Sequence, residues 1–136
     1  MKKILTFGVF DYFHLGHLRL FKNCKKYGNY LMVAVQHGDQ ILKYKPEAKV
    51  LYTTEERMEL VSALRIVDET IVYHDAGVNF LLDKDFDVLI LGGDQIAERW
   101  QNMENWCKEN GKEVHRIGRT EGICSSNIKK SLSNKE

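Results

Sequence analysis

Short apolar runs alternate with amphipathic segments along almost the whole chain, and the connectors between them are brief. Lys3–Phe7, Tyr30–Val35, Glu69–Tyr73, Val88–Leu91 and Glu113–Ile117 read as strands. Gly16–Tyr27, a segment from Thr53 to about Arg65, Val78–Lys84 and Ala97–Asn110 read as helices between them. Strand and helix in regular alternation imply an α/β, Rossmann-like single domain, a five-stranded parallel sheet flanked by helices, with ligands at the carboxyl ends of the strands. Individual boundaries follow from local chemistry. Thr53 and Glu56 form a capping box, Leu18, Leu20, Phe21 and Cys24 make one face of the first helix, and Met58, Val61 and Leu64 make the inward face of the helix after Thr53. Gln36–Tyr52 is polar, carries lysines and the single proline, Pro46, and is expected to be a long loop. Ser125 or Ser126 caps a last helix through Leu132, so the domain runs over 1–132 with a frayed tail at 133–136.

The first strand hands over to the first helix through Gly8-Val9-Phe10-Asp11 and His14-Leu15-Gly16-His17. Two histidines three apart at a helix start project from one side of its first turn, beside free N–H groups and the positive end of the helix dipole. Gly16 lets an anion approach the backbone, and imidazoles, readily protonated near neutrality, suit a phosphoryl group gaining charge. Zinc is disfavoured, because no third ligand stands at suitable spacing. A purely local alternative has one histidine capping and the other packed. The segment from Arg119 to Ser126 follows the fifth strand and opens the last helix, offering Arg119, Thr120, Ser125 and Ser126 to a second anion on the same sheet edge. Lys43 and Lys45 in the long loop are suited to closing over a triphosphate. Gly92-Gly93-Asp94 offers close backbone approach and a carboxylate, and Asp11 and Asp94 are candidates for a divalent ion. His37, His74 and His115 carry no assignment, His74 being the most open to one.

With 136 residues the chain buries enough surface to fold without staples. A net charge of +1 with signs interspersed gives no broad basic face for nucleic acid. No apolar run approaches a membrane span, and Cys24, Cys107 and Cys124, far apart and without a Cys-x-x-Cys, are expected as reduced thiols in a cytoplasmic protein.

Phe7-Gly8-Val9-Phe10-Asp11 with His14-Leu15-Gly16-His17, Glu56-Arg57-Met58-Glu59-Leu60-Val61, Gly92-Gly93-Asp94 and Arg119-Thr120-Glu121-Gly122-Ile123 resembles the small cytidylyltransferases of the His-x-Gly-His nucleotidyltransferase superfamily, above all those acting on glycerol 3-phosphate. The resemblance runs from Met1 to about Leu132, with Cys124 standing where that group has a serine. It implies transfer of CMP from CTP to a small phosphoalcohol, as in making cell-surface polysaccharide or teichoic acid precursors. It also implies Mg²⁺ and a homodimer with the Glu56-Arg57 helix close to the subunit contact. His14, His17, Lys43, Lys45 and Arg119 would act on the phosphates. Gly8, Val9, Phe10, Asp11, Gly16, Gly92, Asp94, Arg119, Thr120, Ser125 and Ser126 would hold the nucleotide. Adenylyltransferases acting on sugar phosphates or FMN share the motif, and a non-catalytic nucleotide sensor is the alternative from another class. Departures from the resemblance fall at His74–Asn79, which lacks an expected tryptophan, and at Gln95–Trp100. Both segments are near strand ends where an acceptor would sit, and they leave phosphoethanolamine-like amines and phosphonates open as acceptors.

Overall fold

The computed structural model describes residues 1–118. Five parallel strands, β1 (Lys3–Gly8), β2 (Tyr30–Gln36), β3 (Glu69–Tyr73), β4 (Val88–Gly92) and β5 (Glu113–Ile117), lie in the order β3-β2-β1-β4-β5. The chain winds outward from β1 to β3, then crosses back to β4 on the other side of β1. That reversal leaves a crevice at the carboxyl ends of β1 and β4, where sheets of this kind take their ligands.

Successive residues of the central strands serve opposite faces. Ile4, Leu31, Val33, Val88 and Ile90 join a core with Phe21 and Cys24 of α1 (Leu15–Cys24) and Val61 of α3 (Thr54–Ser62). Leu5, Phe7, Met32, Leu89 and Leu91 join a second core with Leu81 of α4 (Val78–Leu81) and Trp100, Met103 and Cys107 of α5 (Glu98–Glu109). Thr6 is the polar member of β1's interior, and its hydroxyl donates to the Ile90 carbonyl at 3.0 Å. Cys24 and Cys107 are free and buried, and burial pushes their thiols up to about 12 and about 11, so both stay protonated.

Three differences from expectation matter for the site. The segment Gln36–Tyr52 is not all loop. It contains α2 (Gly38–Tyr44), whose N-cap is His37, its Nδ1 accepting from the Asp39 amide at 3.2 Å. Helices α1 and α3 stop at Cys24 and Ser62, each about a turn before the expected end. The inward face of α3 carries Arg57 as well as Val61, while Met58 and Leu64 are only partly buried.

Arg57 is fully buried. Its Nη1 donates to the Val9 carbonyl at 2.9 Å and the Gln36 carbonyl at 2.7 Å, its Nε to the Tyr52 carbonyl at 3.3 Å, and its Nη2 to the Thr54 hydroxyl at 3.2 Å. Burial disfavours its charge, and the nearby Asp11 carboxylate favours it. Asp11, also buried, accepts from the Leu51 and Tyr52 amides at 2.7 and 3.0 Å. These two side chains fasten the turn after β1, the end of β2 and the entry to α3 to one another. Replacing Arg57 strips four acceptors and leaves Asp11 without its counter-charge. Arg57→Met is expected to cost about 3–5 kcal/mol, and Arg57→Lys, lacking the planar fork, to recover less than half of that. Denaturant unfolding of the three proteins checks both values.

Candidate active site

The turn after β1 is built under constraint. Phe10 (φ 56°) and Tyr12 (φ 48°) both adopt the left-handed backbone that side chains disfavour. Gly8 makes room for the first of them, because a Cβ there would lie 2.5 Å from the Phe10 ring. The Phe10 ring is thereby turned inward, packing edge-on to His17 at 5.4 Å and against Phe21 at 5.2 Å. The Phe10 side chain thereby seats His17.

The two histidines begin α1 as a reciprocal cap. His14 Nδ1 accepts from the Gly16 amide at 3.0 Å, and His17 Nδ1 accepts from the His14 amide at 3.2 Å. The rings stack at 4.0 Å. Because each Nδ1 is an acceptor, each neutral ring carries its proton on Nε2, which is left as a donor. His14 Nε2 is buried and has no partner among the described residues. A buried donor with nothing to donate to is uncommon, and at a ligand cleft it marks where an acceptor oxygen belongs.

Protonation of the pair differs from expectation. Burial lowers the pKa of His14, and burial followed by the proximity of His14 pushes His17 down to about 4. Neither ring is readily protonated near neutrality while the cleft holds no anion. The Gly16 amide, expected to face a phosphate, is taken by His14. Both histidines cap the helix start through Nδ1, rather than one capping and the other only packing, and each keeps its Nε2 as a donor.

A cleft of about 690 Å³ opens over this turn. Gly8, Val9, Phe10, Asp11, His14, Gly16 and His17 line it from β1 and α1, Gly92 and Asp94 from the end of β4, and Lys45 from the end of α2. Lys43 is not among the described lining residues. Its Nζ lies 3.9 Å from the Asp75 carboxylate, on the outer side of α2. Arg119, Thr120, Ser125 and Ser126, with the last helix they open, lie outside the described residues, as do Cys124 and the tail at 133–136.

Sequence reasoning missed two positioning residues. The Gln95 side-chain amide donates to the Phe7 carbonyl at 3.2 Å and its oxygen accepts from the Gly92 amide at 2.8 Å, so it ties β1 to β4 across the crevice. Arg116 of β5 donates to the Gly92 and Gln95 carbonyls at 3.0 and 2.8 Å and to Glu104 at 3.0 Å, which fixes the loop carrying Asp94. Both are polar residues near strand ends, a class that sequence alone does not separate from solvated surface.

For a divalent ion the donor set is thin. Both Asp11 oxygens hold backbone amides, so an ion there would compete with the fastening of the Leu51-Tyr52 segment. No group of three His, Cys, Asp or Glu suited to a metal stands together among the described residues. What remains fits an ion carried mainly by phosphate oxygens and water, with Asp94 as the carboxylate at hand.

Fold and cleft together are those of a nucleotidyltransferase. A cytidylyltransferase-like family model matches residues 5–131, and the chain belongs to that family. Glycerol-3-phosphate cytidylyltransferase of Bacillus subtilis is 30% identical over 135 residues, 98% of either chain. FAD synthase of Methanohalophilus mahii is 33% identical over 142 residues, 99% of this chain and 97% of that one. Among solved structures, the lipopolysaccharide core biosynthesis protein of Thermoplasma volcanium superposes with a TM-score of 0.69 at 26% identity, over 88% of this chain and 97% of that one.

The lowered histidine pKa values have a consequence for stability. Unfolded, His17 takes its proton below about 6.5, whereas folded it waits until about pH 4. Between those values the unfolded chain holds the extra proton, so this contribution is complete above pH 6.5 and is lost as the pH falls toward 4. His14 adds in the same direction. In thermal melts from pH 7 to 4.5, His17→Gln is expected to lose roughly 5 °C less than the unaltered protein.

Proposed function

We propose that this protein transfers CMP from CTP to a small phosphoalcohol, releasing pyrophosphate. The observation that carries the reading is the His14–His17 pair, whose Nδ1 atoms are taken by the helix cap and whose rings line a cleft at the β1/β4 switch point. A phosphomonoester oxygen of the acceptor attacks the α-phosphorus in line. The bond from that phosphorus to the bridging oxygen breaks, and pyrophosphate leaves with the electron pair. Such a reaction needs no protein nucleophile, only positioning and stabilisation of charge on phosphate oxygens. His14 and His17 donate to the α- and β-phosphate oxygens as charge moves to the bridge. An anion beside them raises the pKa of both rings, so the pair gains positive character as the triphosphate arrives. Lys45 neutralises the outer oxygens from the α2 side, and Lys43, Arg119, Thr120, Ser125 and Ser126 complete the phosphate and nucleoside contacts. Asp94 is the carboxylate that would help hold a Mg²⁺ ion, which when bound would supply further charge neutralisation.

Preference for CTP rests on the Arg119-Thr120-Glu121-Gly122 segment and on the resemblance to glycerol-3-phosphate cytidylyltransferase. The comparable identity to an FAD synthase favours a second reading, transfer of AMP from ATP to FMN or a sugar phosphate. A homodimer packed through α3 would use Glu55, Glu56, Glu59, Leu60 and Ser62, the exposed residues of that helix, since Arg57 is turned inward.

Pyrophosphate release, followed with Mg²⁺, each of CTP, ATP, GTP and UTP, and a panel of phosphoalcohols, tests the activity. Release with CTP is expected; release with ATP alone moves the assignment to the second reading, and nucleotide binding without release across the panel favours a sensor. His14→Ala and His17→Ala are each expected to lower kcat by about 10²-fold or more while the fold persists. Turnover close to normal in either variant removes the role given to the pair.

A further inference from the structure

Helix α2 is seven residues long, too short to hold a direction by itself, and Lys45 follows directly on its last turn. The Lys45 amide donates to the Ile41 carbonyl at 2.8 Å and the residue lines the main cleft, so the course of α2 decides where that ammonium stands. What fixes the course lies at the other end. The His37 amide donates to the Tyr73 carbonyl at 2.9 Å, and the Gly38 amide to the Thr54 hydroxyl at 2.9 Å. Those bonds locate the start of the helix, but two adjacent points leave a tilt about the line between them. Ile41, buried, gives α2 one apolar foot.

The His37 ring supplies the missing restraint. Its Nδ1 accepts from the Asp39 amide at 3.2 Å, which makes the ring a fixed part of the helix start. The ring stacks on that of His74, with centroids 4.6 Å apart and planes 22° from parallel. Tyr73 and His74 are consecutive, so the end of β3 and the residue after it grip His37 twice, by its backbone and by its ring. One further tie, Lys43 Nζ at 3.9 Å from the Asp75 carboxylate, joins two exposed side chains, and pairs of that kind hold weakly.

Resting on the function proposed above, we infer that His74 is a positioning residue for the transfer: through its stack on His37 it sets the course of α2 and holds Lys45 at the triphosphate. His74 is not among the residues lining the cleft, so its action on the phosphates is indirect. The lever is long enough to matter. Lys45 is eight residues beyond His37, about 12 Å at about 1.5 Å per residue, so a tilt of about 10° at the stack moves the Lys45 backbone by about 2 Å. A misplacement of about 1 Å is enough to lower a rate by about 10²-fold. His74 is exposed, so altering it leaves the core intact. The stack needs a flat ring and not its nitrogens, which makes phenylalanine the conservative replacement and alanine the disruptive one.

Hydrogen exchange at the Ile41 and Lys45 amides, followed by NMR without nucleotide, reports the course of α2 independently of any activity. It is expected to quicken about fivefold or more in His74→Ala and to return to within about twofold of the unaltered protein in His74→Phe. In pyrophosphate-release assays with CTP or ATP, His74→Ala is expected to lower kcat/KM for the nucleotide about tenfold, and His74→Phe to recover most of the loss. Made in Lys45→Ala, the same His74→Ala change is expected to cost less than about twofold, since the lever then carries no charge. Unchanged exchange in His74→Ala overturns the inference whether or not the protein turns over nucleotide. So does a failure of His74→Phe to restore the rate, or a full tenfold loss, about the same as in the unaltered protein, in the Lys45→Ala background. Where no nucleotide is turned over, calorimetric titration of CTP and ATP replaces the rates. The same pattern in Kd then upholds the positioning of Lys45 while removing the transferase, and quickened exchange with no nucleotide bound removes both.

Discussion

Two buried charges of opposite sign, Arg57 and Asp11, hold the catalytic end of the sheet together. Each is almost wholly removed from water, and each is compensated by backbone groups as well as by the other's charge. A lone buried charge would cost several kcal/mol, so neither is stable in this place without the other. Their hydrogen bonds run to Val9, Gln36, Leu51, Tyr52 and Thr54, and the Thr54 hydroxyl in turn accepts from the Gly38 amide at 2.9 Å. Chain segments separated by up to 48 residues are thereby tied to one point. The left-handed backbone at Phe10 and Tyr12 persists because its surroundings fix it on both sides, as strained residues at functional sites require.

The histidine pair depends on that fastening. A ring can serve as a helix cap through Nδ1 and as a ligand donor through Nε2 only if its orientation is fixed, and Phe10, placed by the strained turn, packs against His17 to fix it. The same packing withdraws His17 from water and lowers its pKa, so structural and electrostatic preparation have one cause. Preparation of this sort removes reorganisation at the moment charge develops, which is where electrostatic catalysis gains most.

The sheet was legible in the sequence because its signal is strong and local. Apolar runs of five to seven residues bounded by glycine and polar turns have few other homes, and each expected strand lies within a residue of its place. What escaped was the use of common residues in uncommon roles. His37 caps α2 and His14 caps α1, yet start signals are sought in Ser, Thr, Asp and Asn, so a helix within Gln36–Tyr52 went unseen. Arg57 occupies a core position on α3, and an arginine there reads as solvated until its four acceptors are brought in from distant segments. Asp11 reads as a ligand for a cation when its partners are backbone amides forty residues away. For Arg57 and Asp11 the deciding contacts are long-range, and composition or periodicity carries no record of them. The His-Gly-His spacing was legible as a phosphate site for the opposite reason, since its geometry is completed within one helical turn.

A second cavity, the side cavity, is walled by the segment after β3, by α4 and by α5, apart from the elements that seat the histidines. The histidine pair and the turn before it arise from β1 and α1 and are fastened by Arg57 and Asp11, while Gln95 ties β1 to the end of β4. The side cavity arises instead from the segment after β3, from α4 and from the outer face of α5, none of which is reached by those bonds. A change of wall there need not disturb the histidines or the strained turn. Relatives named for a cytidylyl transfer to glycerol phosphate and for making FAD stand at comparable identity to this chain, so the shared fold and histidine cleft do not by themselves fix the acceptor.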